Sequence, residues 1–167
     1  PKNPAGQGMM AFTAYDSACF YRNARVNWKQ LVKNLADDVA LARRTVEGFL
    51  RASVAAIPTG KQNAFAAQNP PSFLLAVVKP QGMAWSLANA FERPVRPGND
   101  GLTAPSVAAL DAYWGRLTAV YGLEAGSKVM ALALEDDLPL QNLKAYCVPT
   151  LEAWVKATVE ALPVGEA

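Results

Sequence analysis

Apolar residues recur at three- and four-residue spacing through Val39, Ala42, Val46, Phe49, Leu50, Val54 and Ile57, which is the stripe of an amphipathic helix. Arg43, Arg44, Glu47 and Arg51 fall mostly on the other face, and Glu47 and Arg51 are spaced to pair. Asp37 or Asp38 can cap its start, and Pro58 and Gly60 end it. The pattern then changes. Phe73-Leu74-Leu75-Ala76-Val77-Val78 is a continuous apolar run between Pro70-Pro71 and Pro80, and its length and valines predict a buried strand. Upstream, residues 11–26 alternate imperfectly and are rich in Phe, Tyr and Thr. They predict a strand with a bend near Asp16-Ser17. Strand, long helix, strand is a βαβ-like succession, with both strands in one sheet and Phe49 in the core beneath the helix.

Trp28 to Leu35 reads as a short helical or turn segment. Ser86 to Arg93 predicts a short helix or turn, and Arg93-Pro94 through Gly101 a loop. Thr103 and Pro105 open a helix with Val107, Leu110, Tyr113, Trp114, Leu117 and Tyr121 on one side. Val129 to Leu134 favours a strand, and Pro149-Thr150 opens a last helix with Leu151, Trp154, Val155, Val159 and Leu162 inward. The class is α+β, with a C-terminal helical extension.

The 167 residues, 51% hydrophobic, suit one domain with a real core. No uninterrupted apolar stretch is long enough to span a membrane, and the polar, Gly- and Pro-rich first ten residues carry no signal-peptide pattern. The chain has no histidine, which removes the commonest general base and metal ligand. Cys19 and Cys147 are too few for a Cys/His zinc site and read as reduced core thiols of a cytoplasmic protein. No catalytic pairing, cofactor motif or metal site emerges, and the acidic run Glu135-Asp136-Asp137 reads as a solvated loop.

Net charge is +2 but uneven. Between Phe20 and Phe65, eight bases stand against three acids, a net +5, whereas from Ala66 onward seven bases meet ten acids, a net −3. A basic first third can serve a phosphate backbone or form a solvated helix face. Within it, Arg22 and Arg25 are candidates to clamp phosphate oxygens. Phe20 and Tyr21 can stack bases or pack in the core. Lys61 and Gln62, in Gly60-Lys61-Gln62-Asn63, can meet phosphate and ribose, or simply follow a helix C-cap glycine. The pair Met9 and Met10 suits an apolar wedge against unstacked bases, or an edge packed on a neighbour.

Three ordered strings carry a resemblance. They are Phe20-Tyr21-Arg22, then Gly60-Lys61-Gln62 through Ala66-Ala67 to Asn69-Pro70, then Ser86-Leu87-Ala88-Asn89-Ala90-Phe91-Glu92. Asp111-Ala112-Tyr113-Trp114, Tyr121-Gly122-Leu123 and Pro149-Thr150-Leu151-Glu152 extend it. In this order and spacing the chain resembles the C-terminal half of the repeated backbone subunit of the type I-E CRISPR surveillance complex, Cascade (the CasC family).

The resemblance implies the second half of a ferredoxin-like, RNA-recognition-like palm across residues 11–167, with residues 1–10 as the returning arm of a thumb-like hairpin. It implies an RNA-binding scaffold and no enzyme, with Met9, Met10, Arg22, Arg25, Lys61 and Gln62 as the RNA-binding candidates. The implied partners are CRISPR RNA, target DNA through the guide, further copies of the subunit and other Cascade subunits, in a ribonucleoprotein complex for antiviral defence. The family's N-terminal half is absent from the chain. A ferredoxin-like guide-processing endoribonuclease and a structural protein-interaction module are the alternatives.

Overall fold

The computed structural model describes residues 18–57, 66, 68–99 and 101–164. Helices α1 (Trp28–Asn34) and α2 (Val39–Ala55) come first, followed by strand β1 (Phe73–Val78). A 3-10 turn at Ala88–Phe91 leads to helix α3 (Thr103–Tyr121), then strand β2 (Lys128–Ala133), a second 3-10 turn at Lys144–Tyr146 and helix α4 (Leu151–Glu160). Among the described residues the sheet has two strands, β1 and β2, paired antiparallel with Phe73 opposite Ala133 and Val78 opposite Lys128. The α+β class read from the sequence is the class of the fold.

The sheet divides two cores. Successive strand residues point to opposite faces. Phe73, Leu75, Val77, Val129 and Ala133 pack on the core formed by Leu87, α3 and the buried leucines 123, 138, 140 and 143. Leu74, Ala76, Val78, Met130 and Leu132 pack on the core of α2 and α4, built from Val46, Leu50, Trp154, Val155 and Leu162. A strand covered on both faces has no polar side to show, which is why β1 reads as six apolar residues in a row. Beyond β2, the Ala131 carbonyl accepts the Val148 N–H at 2.9 Å, and the Trp154 indole donates to the Met130 carbonyl at 3.1 Å. These bonds tie α4 and its entry segment to the strand.

Three expectations are corrected. Residues 18–26 form no strand, and the partner of β1 is β2, not the 15–26 region. The aromatic alternation there marks an extended segment held by side-chain contacts; residues 11–17 lie outside those described. Phe49 is 40% exposed, so it does not sit in the core. The buried line of α2 is Ala42, Val46 and Leu50, four residues apart. Phe49, three residues after Val46, lies on the edge of that line, where its larger ring is only partly covered. Cys19 and Cys147 are free thiols, but both are exposed because they sit in irregular segments and not inside a packed element.

The helix caps follow the sequence. Asp38 Oδ1 accepts the Leu41 N–H at 2.8 Å, and Thr150 Oγ1 accepts that of Ala153 at 3.1 Å. α3 stops at Gly122, whose φ of 61° is left-handed. The corner between α1 and α2 puts two non-glycine residues in that region, Ala36 and Asp37. Its cost is offset by paired capping bonds, Ala36 N–H to Lys33 O and Asp37 N–H to Val32 O. Among the described residues no helix is long and apolar enough to cross a membrane.

One buried carboxylate anchors the loop after β2. Asp111 on α3 is only 3% exposed. It accepts the backbone N–H groups of Gln141, Asn142 and Leu143 at 3.1, 3.1 and 2.8 Å, and the Asn142 amide at 2.9 Å. Burial by itself pushes its pKa up, but the bonds from the Asn142 backbone, the Asn142 side chain, Leu143 and Gln141 together outweigh it and hold the carboxyl below its ordinary value.

Gly115, one turn further along α3, leaves room for this arrangement. A Cβ there would lie 2.5 Å from Asn142 Oδ1. Asn142 cannot swing away freely, because its amide nitrogen is bonded to both the carboxylate and the carbonyl of Asp111.

Two outcomes are expected. Alanine is the better helix former by about 1 kcal/mol, yet Gly115→Ala should destabilise the protein by about 1–3 kcal/mol through overpacking. Urea melts check this, and a more stable variant would contradict the close approach. Asp111→Asn should cost about 1.5–3 kcal/mol at neutral pH, because three N–H donors lose a charged acceptor. A depressed folded pKa gives stability that is complete above the ordinary aspartate value of about 3.9 and is lost as pH falls through the folded value. The gap between parent and variant should therefore narrow in melts repeated at acid pH. A gap that widens toward low pH would have the wrong sign.

Candidate nucleic-acid interface

The basic third of the chain separates into two groups of cations. Three arginines are engaged inside the fold. Arg22, in the extended segment before α1, donates to the Ser53 and Ala56 carbonyls at 2.6 and 3.0 Å. These are carbonyls of the last turn of α2, which lack partners within the helix. Arg43 does the same for α4, donating to Val159, Leu162 and Pro163 carbonyls at 2.7–2.9 Å while lying over the Trp28 ring. Arg51 joins Glu47 at 2.9 Å and Glu152 at 2.7 Å, bridging α2 to α4. The bond to Glu152 first, then that to Glu47, holds the Arg51 guanidinium well above its ordinary pKa, and the same bond lowers that of Glu152.

Arg25, Lys29, Lys33 and Arg44 form the second group. They are exposed and make no ion pair among the described residues. Lys29 and Lys33 lie one turn apart on α1 and line a shallow groove of about 450 Å³ with Asn27, Gln30 and Asp37. Asn27 Oδ1 caps α1 through the Gln30 N–H, and the Gln30 amide is bonded to Asn34. The groove thus has a fixed polar floor, two mobile ammonium groups and one carboxylate. Chemically it can neutralise and hydrogen-bond a phosphate backbone.

The sequence singled out six residues, and two of them are described. Arg22 meets the end of α2, with two of its five donors in use. Arg25 projects from the neighbouring exposed segment. Met9, Met10, Lys61 and Gln62 lie outside the described residues, as does the arm assigned to residues 1–10.

Two of the sequence strings are brought together. The Tyr21 hydroxyl accepts the Leu87 N–H at 3.1 Å, and its ring lies 5.5 Å from that of Phe91. Tyr21 therefore docks on the Ser86–Glu92 segment, while Phe20 beside it is exposed. Among the described residues no His, Cys, Asp or Glu side chains are grouped as a metal ion needs, the acidic run at 135–137 included.

One feature of this surface was not singled out from sequence. Trp85 and Tyr121 stack with ring centroids 5.2 Å apart and planes 25° from parallel. Tyr121 was assigned to the inward side of its helix, but it sits at the last position of α3, beyond the core, and is exposed. The two rings are 36 positions apart, so no local pattern could pair them.

Comparison with known proteins gives this geometry its context. The Cas family described as "CT1975-like protein" matches residues 1–157. A solved structure described as "CRISPR RNA-guided surveillance complex" is similar at 32% sequence identity and a TM-score of 0.72, over 81% of this chain and 50% of the other. A second, described as "CRISPR RNA-guided surveillance complex, pre-nicking", is similar at 32% identity and a TM-score of 0.71, over 81% of this chain and 35% of the other. The chain thus spans half or less of the chains it resembles. A search of curated proteins gave no match. With a family match running over nearly all of its length, the chain belongs to the CT1975-like family of Cas proteins.

Proposed function

We propose that the chain is the C-terminal half of a type I-E Cascade backbone subunit. In this reading it binds CRISPR RNA, lines up in repeated copies along it beside other Cascade subunits, and presents the guide for pairing with target DNA in antiviral defence. The role is that of a cytoplasmic scaffold and not of an enzyme. The observation that carries the reading is the 32% identity, held across 81% of the chain, to a CRISPR RNA-guided surveillance complex. The division among the cations supports it. Arginines engaged with helix ends stiffen the α1–α2–α4 side, and Arg25, Lys29, Lys33 and Arg44 remain available to phosphates. A scaffold that reads backbone leaves base edges free, and pairing then supplies the sequence information.

The test is binding of the full-length subunit to labelled CRISPR repeat-spacer RNA over a salt series. Counterion release gives a slope of about 0.7 per phosphate neutralised on a single strand. The triple variant Lys29→Ala, Lys33→Ala, Arg44→Ala should lower the salt slope by about two units and weaken binding for every spacer sequence. A parent that cleaves the RNA would favour the endoribonuclease alternative, and a parent that ignores it would favour the protein-interaction module.

Arg22→Ala should behave differently from the triple variant. Losing two bonds to the end of α2 should cost about 0.5–1.5 kcal/mol of stability, seen in a urea melt, with most of the salt slope retained. A slope that drops by a full phosphate contact while stability holds would instead assign Arg22 to the RNA.

A further inference from the structure

The stacked pair Trp85 and Tyr121 lies at one end of the sheet and has no role in either core. Trp85 is 38% and Tyr121 63% exposed, and their neighbours Met83 and Val120 are 65% and 70% exposed. The two rings cover each other on one side and keep part of their surface in solvent. Two large rings stacked on each other at the surface form an apolar contact that a ligand can extend.

The surrounding charge says what kind. Lys79 follows β1 directly, and its ammonium donates to the carbonyl of Met83, two residues before Trp85, at 3.3 Å. Lys128, opposite Val78, opens β2 at this same end of the sheet. The nearby carboxylate of Glu124 is already engaged, accepting the Trp114 indole N–H at 2.9 Å. The exposed acids Glu135, Asp136 and Asp137 follow β2 at the opposite end. The sheet therefore has a basic, aromatic end and an acidic end, and the rings stand at the basic one.

We propose that this end is a stacking platform for single-stranded RNA, with an unpaired base laid against the Trp85–Tyr121 pair and Lys79 beside the adjoining phosphate. Aromatic rings next to cations hold single strands without reading sequence, because every base has a π-face. The proposal rests on the RNA-binding reading above and adds a second contact, distinct from the α1–α2 cations.

The experiment uses the full-length subunit and an oligouridylate, followed by intrinsic fluorescence. A base stacked on Trp85 should quench its fluorescence, so Trp85→Ala is expected to lose that share of the quench and to weaken binding roughly 5- to 150-fold. Tyr121→Ala should act in the same direction, and Trp85→Tyr should restore most of the affinity. Lys79→Ala should lower the salt slope by about 0.7. An unchanged thermal melt for Trp85→Ala would show that the loss is not unfolding.

Parent-like affinity and quenching in both alanine variants would overturn the platform while leaving the RNA-binding reading standing. A parent that binds no RNA would overturn both. If Trp85→Ala instead abolished self-association in sedimentation runs and kept its RNA affinity, the surface would be a contact between copies. Weakened binding to single-stranded DNA alone would refute RNA as the occupant.

Discussion

A sheet, two-stranded among the described residues, that must be covered on both faces is the constraint from which the rest of this structure follows. Leu74, Ala76 and Val78 point one way, while Phe73, Leu75 and Val77 point the other. Neither set can be left in water at about 25 cal/mol per Å² of apolar surface. The chain therefore brings α2 and α4 to one face and α3 with the 138–143 loop to the other. Each cover then needs a polar fastening, since apolar packing alone is not directional. On the first face the fastening is the Trp154 indole on the Met130 carbonyl, with Arg43 and Arg51 tying α2 to α4. On the second it is Asp111, whose carboxylate gathers three successive backbone N–H groups of the loop.

The charge count alone overstates the basic surface. A net +5 over one segment invites a single electrostatic reading, but three of those arginines face carbonyls or carboxylates of the protein itself. Arginine suits such positions because its planar fork reaches two acceptors at once. The lysines Lys29 and Lys33 remain outside such pairs among the described residues, although Asp37 shares their groove, and an ammonium with no ion-pair partner can meet a phosphate. The same type of charge is thus divided between structure and surface by position, since Arg25 and Arg44 stand with the lysines.

Much of the fold was legible because it is periodic. The six-residue run gave β1 at its observed bounds, and the 3.6-residue stripes gave α2, α3 and α4 with their Asp38 and Thr150 caps. Pairing was not legible. The 11–26 region carries a strand-like composition, yet residues 18–26 are held by Tyr21 on Leu87 and Arg22 on α2, contacts 66 and 31–34 positions away. Phe49 shows the limit of a stripe, since a residue that fits the helical spacing can still be left partly in solvent by what packs against the helix. The Asp111 cradle and the Trp85–Tyr121 stack join segments about 30 and 36 positions apart, and no window of sequence contains both halves. The family was readable from ordered strings, and two of those strings touch, through Tyr21 and the Ser86–Glu92 segment.

That contact links recognition and architecture. The Tyr21 hydroxyl accepts a backbone N–H from Leu87, and Leu87 itself is buried in the α3 core. Immediately after Tyr21, Arg22 turns to the carbonyls at the end of α2, which belongs to the other core. Two adjacent residues of one extended segment thus reach both sides of the sheet. A segment anchored by two adjacent residues in this way resists a shift in register, because sliding by one residue would break the hydrogen bond at Leu87 and the cap at Ser53 together. Arg25, three residues on, is then presented from a fixed base just ahead of α1. For the proposed guide-holding role the position of the cations matters as much as their number, and this segment sets it by engaging Arg22 on α2 and leaving Arg25 without an ion pair among the described residues.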